Sequence, residues 1–406
     1  MKMLNIDDFT LFEANFLQYP LGLVNNYETE KSYKYSYVNQ NSLHLSWEVR
    51  CFRASTLPSP SAVDIDRAIS KLIYNTFRLQ KKYSPPICTT YYSLLSLTNK
   101  KQSGSNIYHI RKWLKMLADV EIHSEYVFKQ KNDSLPRKVL SFKKYDAIIQ
   151  NGDKFPKNLP KTFRDKLSES ERKTGISKHV YIFPSGVYLR SLRNHYVKPI
   201  NFNFVMSLPS AVCKRIYEML SFGFSAFMRN DHSGQKCIYY NYLDFCSRIP
   251  VTVYKYPYDA ERKLRKYFRI LFRNKYVSSV VYNFVGPQDR WFLVIYPGKN
   301  ALDELDFCDD RALRFNLSRK ITGNNGKITG YIEYIGPGRK VEISGDFTGK
   351  QRILMSGGIR QCLERQLLRG ERYWVFEYSV IPGKYRYNFI VDSVSGPDKL
   401  LTIPEK

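Results

Sequence analysis

The sequence contains no C-x-x-C pair. Its seven cysteines (Cys51, Cys88, Cys213, Cys237, Cys246, Cys308 and Cys362) are scattered and odd in number, which argues against a disulfide framework or a zinc ribbon and for thiols kept reduced. The six histidines, His44, His109, His123, His179, His195 and His232, are isolated, and no His-x-His pair could hold the metal of a nickase. No apolar run reaches the ~18 residues that would nominate a membrane span. Residues 1–16 lack the basic-then-apolar order of a secretory leader, so a cytoplasmic protein without membrane contact is expected. The stretch Gly345-Asp-Phe-Thr-Gly349-Lys350-Gln351 has one residue too few between its glycines for a phosphate-binding loop. It also carries Gln where Ser or Thr must meet magnesium. Acidic pairs such as Asp64 with Asp66, or Asp309 with Asp310, read as helix caps and linker charge. Without a catalytic constellation, a metal site or a cofactor site, the expectation is a protein that is not an enzyme.

Acidic residues are also scarce. Against 64 Lys and Arg stand 37 Asp and Glu, a formal net charge of +27 over 406 residues. Hydrophobic residues at 43% and aromatics at 15% supply enough apolar surface for several cores, so the chain is expected to be globular rather than disordered. A folded, strongly cationic, aromatic-rich chain points to a polyanionic partner. Residues 327–406 hold 13 basic and 9 acidic side chains, which leaves 51 basic and 28 acidic in residues 1–326. The polyanion site is therefore expected in the first three-quarters of the chain.

Residues 1–44 are polar and Tyr/Asn-rich, with only short apolar patches such as Phe16-Leu17, and read as a partly ordered arm. From Leu45 the alternation predicts a strand. Asp64 is placed to cap a helix to about Leu79, whose apolar residues recur at helical spacing. A shorter helix follows from Thr89 or Thr90 to Leu97, then a third that Ser105 caps, then strands over 121–128 and 137–143. Three helices followed by a basic hairpin is the order of a winged helix. Residues 144–178 read as a basic insertion or linker. The pattern then resumes: helices 209–222, 241–247 and 258–273, and strands 276–285 and 290–296. Residues 301–326 read as a linker with an acidic start. Beyond it, alternating stretches at 328–335, 340–344, 372–380 and 385–391 with Gly/Pro turns predict an all-β domain.

Within 258–273, Ala260, Leu264, Phe268 and Leu271 form one stripe, with Tyr267 beside it. Arg262, Arg265, Lys266, Arg269 and Arg273 fall on the opposite side with no carboxylate among them. That face suits a reader of base edges and phosphates in the major groove. In the first unit Tyr108, Arg111, Lys112 and Lys115 lie opposite Ile107, Ile110, Leu114 and Leu117, and the hairpin adds Lys129, Lys131, Arg137 and Lys138 as phosphate contacts.

Three stretches carry a resemblance to a known family: Pro58-Ser-Pro-Ser-Ala-Val-Asp-Ile-Asp66, Tyr196-Val-Lys-Pro-Ile200, and Leu208-Pro-Ser-Ala-Val-Cys-Lys-Arg-Ile-Tyr-Glu-Met-Leu220. With Trp291-Phe-Leu-Val-Ile-Tyr-Pro-Gly298 as a closing strand, residues 45–300 resemble the plasmid replication initiator A family of bacteria. That resemblance implies two winged-helix domains binding repeated sites at a plasmid origin. It also implies opening of adjacent AT-rich duplex, recruitment of host helicase or initiator proteins, and a homodimer formed through the first domain. The tail, with Val341-Glu-Ile-Ser-Gly-Asp-Phe-Thr-Gly349 and Pro382-Gly-Lys-Tyr-Arg-Tyr-Asn-Phe-Ile-Val-Asp392, resembles the early-set, glycogen-binding type of immunoglobulin-like sandwich. Lys350 stands where that type stacks sugar on Trp, and Trp374 lies in an alternating strand, which argues against glucan binding.

The expected fold class is α+β, two winged-helix domains followed by a small immunoglobulin-like β-sandwich. The expected boundaries are 1–44, 45–178, 179–300, 301–326 and 327–406. The expected function is origin binding in plasmid replication. A winged-helix transcription regulator, or a scaffold whose tail binds polysaccharide, stands as the alternative.

Overall fold

A computed structural model describes residues 4–24, 30–38, 44–51, 56–80, 85–128, 139–156, 161–164, 167–194, 196–228, 237–284, 286–310, 328–335, 340–361, 371–380 and 383–403. The fold is α+β, with helices interleaved among small antiparallel sheets. The chain divides into two compact units, Met1–Met219 with Ser247–Val251, and Leu220–Cys246 with Thr252–Lys406.

The first unit opens with β1 (Phe9–Glu13) and α1 (Ala14–Gln18), which are core rather than the expected arm. Every residue of β1 is buried, and it pairs with β9 (Val197–Asn201) from far along the chain. Phe16 and Tyr19 pack on Trp47, whose indole donates to the Pro20 carbonyl at 2.9 Å. The aromatic side chains of this short segment do what a longer apolar run would do elsewhere.

Between these ends lie β2 (Ser32–Val38), β3 (His44–Cys51), α2 (Pro60–Gln80), β4 (Ile87–Thr89), α3 (Tyr91–Leu97) and α4 (Gly104–Asp119). They are followed by β5 (Val120–Glu125), β6 (Val139–Lys143), β7 (Tyr145–Ile149), α5 (Lys161–Arg164), α6 (Glu169–Thr174), β8 (Val180–Pro184) and α7 (Gly186–Arg193). After β9 come α8 (Phe202–Ser207) and α9 (Ala211–Met228). Pro60 starts α2 a turn earlier than expected, and Ser103 rather than Ser105 caps α4, its hydroxyl accepting from the Asn106 amide. Both third-helix cores form as the spacing predicts: Ile110, Leu114 and Leu117 are buried, although Ile107 is only half-buried.

The expected hairpin of the first unit is differently partnered. Strands β5 and β6 do pair, but they join β2 and β3 in the sheet order β2-β3-β5-β6. The strands that return to the helices are β7 and β8, which join β4 in the order β4-β8-β7. Residues 144–178 are thus not a linker. Lys154 bridges to Ile176 beyond the ends of β7 and β8, and α5 and α6 close the tip over a core of Ile149, Phe163, Leu167 and Tyr181. Val180–Pro184, expected to open the second unit, completes the first.

The second unit carries β10 (Ile238–Asn241), α10 (Tyr242–Arg248), α11 (Pro257–Arg273), β11 (Val277–Asn283), β12 (Phe292–Pro297) and α12 (Lys299–Asp310). Its strands run β10-β12-β11, the same first-third-second order as β4-β8-β7. Each set follows helix–strand–helix–helix–strand–strand: α2, β4, α3, α4, β7, β8, then α9, β10, α10, α11, β11, β12. Gly223 lets α9 pass close to β10, since a Cβ there would meet the Tyr240 hydroxyl at 2.8 Å. Residues 299–310 are a helix rather than the start of a linker, with Glu304 buried and accepting from Ser221 at 2.5 Å. Residues 311–327 lie outside the described residues.

The tail supplies β13 (Ile328–Ile335), β14 (Val341–Gly345), β15 (Ile353–Leu354), β16 (Ser356–Gln361), β17 (Glu371–Val380), β18 (Gly383–Val391), β19 (Val394–Ser395) and β20 (Lys399–Ile403). It is all-β as expected, but its strands do not close on themselves. Strand β16 pairs with β11, Val281 opposite Arg360, and gives one sheet of order β10-β12-β11-β16-β17-β13. The remaining tail strands form a second sheet, β15-β14-β18-β19, with β20 also on β18. The free edge of β11 would otherwise present unpaired backbone groups, and β16 covers it over Val280–Tyr282. The side chain of Trp374 lies outside the described residues.

Buried ion pairs also fix the elements of the first unit against one another. Arg67 on α2 is 3% exposed and donates to Glu218 at 2.6 Å and Asp64 at 2.8 Å. Asp64 also meets Lys214 at 2.9 Å, so it is an ion-pair hub rather than a helix cap. Asp66 accepts from Lys144 at 2.7 Å and from the Tyr145 hydroxyl at 2.6 Å. Replacing Arg67 by Ala leaves Glu218 buried without its main partner. It should cost about 3–5 kcal/mol, read as a lower urea midpoint; an unchanged midpoint would mean the pair is dispensable. Glu13 is buried too, and burial pushes its carboxyl up to about 7 despite hydrogen bonds from Ser191, Asn15 and the Phe16 amide. A folded-state pKa above the ordinary 4.5 means this contribution is fully present below that value and is lost as pH rises through about 7. Relative to Glu13→Gln, the unsubstituted protein should lose about 3 kcal/mol across that window, measured by urea unfolding on either side of it.

Candidate nucleic-acid interface

In the second unit α11 begins with Tyr256 at the N-cap, which makes no side-chain cap bond, and Pro257 in its first turn. Ala260, Leu264, Phe268 and Leu271 are buried, as the spacing predicts. Phe268 stacks on Phe245 of α10 at 5.9 Å, which fixes how the helix is rotated. Arg262, Lys266, Arg269 and Arg273 are exposed on the other side, and Arg265 is half-buried.

The exposed face is not free of acid, contrary to the expectation from the helix face alone. Glu261 pairs with Arg265 and Asp259 with Arg262, the latter at 2.9 Å. Both acids lie just off the cationic stripe, and the i,i+3 and i,i+4 reach of a helix brings them onto it. Lys266, Arg269 and Arg273 remain as exposed cations with no carboxylate pair among the described residues. Lys266 lies 4.5 Å over the Tyr267 ring. The β11–β12 hairpin is short and tied down: Gln288 donates to the Tyr254 carbonyl at 2.7 Å, and Trp291 donates to the Gly286 carbonyl at 2.9 Å. Gly286 takes a φ of +76° there, a conformation that glycine adopts without steric cost.

In the first unit the exposed face of α4 carries Tyr108, Arg111, Lys112 and Lys115, all open to solvent. The only acid in α4 is Asp119, which is buried. This helix, the weaker of the two by sequence pattern, is the one whose exposed cations carry no carboxylate pair among the described residues. Lys100 sits 5.1 Å over Trp113, and Trp113 stacks on His109 at 5.7 Å. Gln150, just past β7, donates to the Arg111 carbonyl at 3.1 Å and accepts from the Tyr91 hydroxyl at 3.1 Å. The strand pair is thereby fastened to α3 and α4, as Gln288 fastens the hairpin in the second unit.

Lys129, Lys131, Arg137 and Lys138 lie outside the described residues. The folded tip between β7 and β8 instead exposes Lys154, Arg164, Arg172 and Lys178. Sequence reading passed these over as a flexible linker. The capping box at Ser168 and Glu171 could have marked α6 as folded. Burial alone would raise the Glu171 carboxyl. Hydrogen bonds from the Lys178 and Ser168 amides and from the Ser168 and Tyr181 hydroxyls instead hold it down at about 2. It stays ionised and locks α6 onto the base of the tip.

Among the described residues, no three His, Cys, Asp or Glu side chains are grouped to hold a metal ion, and no helix is long and apolar enough to cross a membrane. What the two surfaces present is exposed Arg and Lys on rigid helices, interleaved with aromatic rings. That combination can neutralise phosphates and reach base edges.

No protein-family model matches the chain, and no curated protein matches its sequence. Among solved structures it is similar to domains 2 and 3 of RctB. A crystal structure of selenomethionine derivatives of these domains aligns at 10% identity and a TM-score of 0.44, covering 70% of this chain and 98% of that one. A second structure of RctB domains 2–3 aligns at 11% identity and a TM-score of 0.37, covering 72% of this chain and 99% of that one.

Proposed function

We propose that this chain is a replication initiator that grips duplex origin DNA through two winged-helix modules. The observation that carries the reading is the repeated six-element layout, each copy ending in a strand pair tied to its third helix or to the segment leading into it, with an exposed cationic face on that helix. In such a module the third helix enters the major groove and the strand pair rides the adjacent backbone. Arg111, Lys112 and Lys115 serve the first module, and Lys266, Arg269 and Arg273 the second. Arg265 and Arg262 are partly neutralised by Glu261 and Asp259, so their part is smaller than the sequence pattern implies.

The finer reading rests on the resemblance to plasmid replication initiators. The sites are repeats at a plasmid origin, adjacent AT-rich duplex is opened, and host replication proteins are recruited in the bacterial cytoplasm. A homodimer through the first module belongs to the same reading. The protein is not an enzyme in this scheme: opening draws on binding and deformation energy, and nucleotide-driven work falls to the partners.

Footprinting on the DNA flanking the gene tests the binding claim. Replacing Arg111, Lys112 and Lys115 together by Ala, or Lys266, Arg269 and Arg273 together, should each erase protection over one part of the site. Each should also lower the salt slope by up to about 2–3. Footprints and slopes that match the unsubstituted protein would refute the assignment of α4 and α11. A plasmid bearing the flanking DNA should replicate only when the gene is supplied in trans; replication without it would refute the initiator reading and leave DNA binding standing.

A further inference from the structure

The segment leading into α11, Val253-Tyr-Lys-Tyr-Pro-Tyr258, presents large apolar surface to solvent. Tyr258 is 74% exposed, Tyr256 63% and Val253 42%. Isolated exposed apolar residues are ordinary, but three within six residues on one short segment are not. The segment is also held still. The Tyr254 amide donates to the Tyr242 hydroxyl at 2.8 Å, and the Tyr254 carbonyl accepts from Gln288. Pro257 restricts the backbone between the two exposed rings. Tyr256 occupies an N-cap position, where Ser, Thr, Asp or Asn would stabilise the helix, and contributes no cap bond. Neither ring therefore serves the fold in a way that a smaller polar residue could not.

Each ring is accompanied by a cation. The Lys255 ammonium lies 5.9 Å from the centre of the Tyr256 ring, and the Arg262 guanidinium, steadied by Asp259, lies 5.7 Å from that of Tyr258. Lys266 is exposed one turn further along. Rigid aromatic faces interleaved with cations are the arrangement that binds unpaired nucleobases, the rings stacking on bases and the cations following the backbone. A duplex offers no base faces except at a disrupted step, so in intact DNA the ring faces have no base to stack on.

We propose that Tyr256 and Tyr258, with Lys255 and Arg262, form a stacking platform for single-stranded DNA. This deepens the DNA-binding reading of the second module, and it would let α11 hold a strand once the duplex beside it has opened. The occupant is a nucleic acid strand rather than an apolar peptide, because the cations beside the rings complement phosphate.

The test uses the full-length protein and fluorescence anisotropy, with a labelled oligothymidylate as the single strand and the gene-flanking DNA as the duplex. Replacing both tyrosines by Ser should weaken oligothymidylate binding about ten-fold or more, with duplex affinity changed less than about two-fold. Replacing both by Phe should preserve single-strand binding, since the ring rather than the hydroxyl stacks. Unchanged single-strand affinity in the Ser variant, or equal losses in the Ser and Phe variants, would overturn the platform. The Phe variant keeps the test decisive should the Ser variant fold poorly. If the unsubstituted protein binds the single strand but not the duplex, the module reading fails while the platform stands. The reverse result removes the platform alone.

Discussion

The first unit hangs on the ionic ladder of α2. Asp64, Asp66 and Arg67 occupy less than two turns of one helix, yet they reach Lys214 and Glu218 on α9 and Lys144 and Tyr145 at the start of β7. Each contact fixes a different element against the same helix. Buried charge is costly to desolvate and tolerates few arrangements, because a partner displaced by an ångström leaves an ion without compensation. The ladder therefore sets geometry more than it adds stability. In this unit the geometry it sets is where β7 leaves the core, and so where Gln150 can clasp α3 and α4.

The same logic relates the two candidate surfaces. In both, a glutamine donates to a backbone carbonyl at or beside the third helix: Gln150 to Arg111, and Gln288 to Tyr254. A strand pair tied down this way is held against the helix or the segment leading into it, so the DNA binding proposed above would order little that is not already ordered. The surfaces differ in charge. Among the described residues the α4 cations have no carboxylate pair, whereas on α11 Asp259 and Glu261 temper two of the five. The pairing leaves the exposed positive charge of the α11 face lower than its count of Arg and Lys implies.

Much of this was legible in the sequence where the signal is local. The apolar spacing on α4 and α11 placed their buried and exposed faces correctly, and the tail strands β13, β14, β17 and β18 followed from alternation, whereas β15, β16, β19 and β20 did not. Non-local partnerships were not legible. Strand β8 joins β4 across some ninety residues, while the nearer pair β5–β6 offered itself as the hairpin. Strand β1 is buried to its last residue although it spans only five, too few for a periodic signal in a polar neighbourhood. Strand β16 contains Gly357-Gly358 and shows no alternation, so nothing marked it as the strand that covers β11. The acid pairs on α11 were within reach, because Glu261 and Arg265 stand four apart. The notion of a carboxylate-free face failed by considering angle and not side-chain length.

The seat of β16 against β11 has a consequence for how the gene can vary. A protein that ended before residue 327 would keep α11 and its hairpin but uncover a hydrogen-bonding edge beside them, and such edges recruit strands from other chains. Shortened or tail-swapped descendants would tend to stick to one another rather than simply lose an appendage. The tail's sheet is thus a structural shield for the β11 edge beside α11.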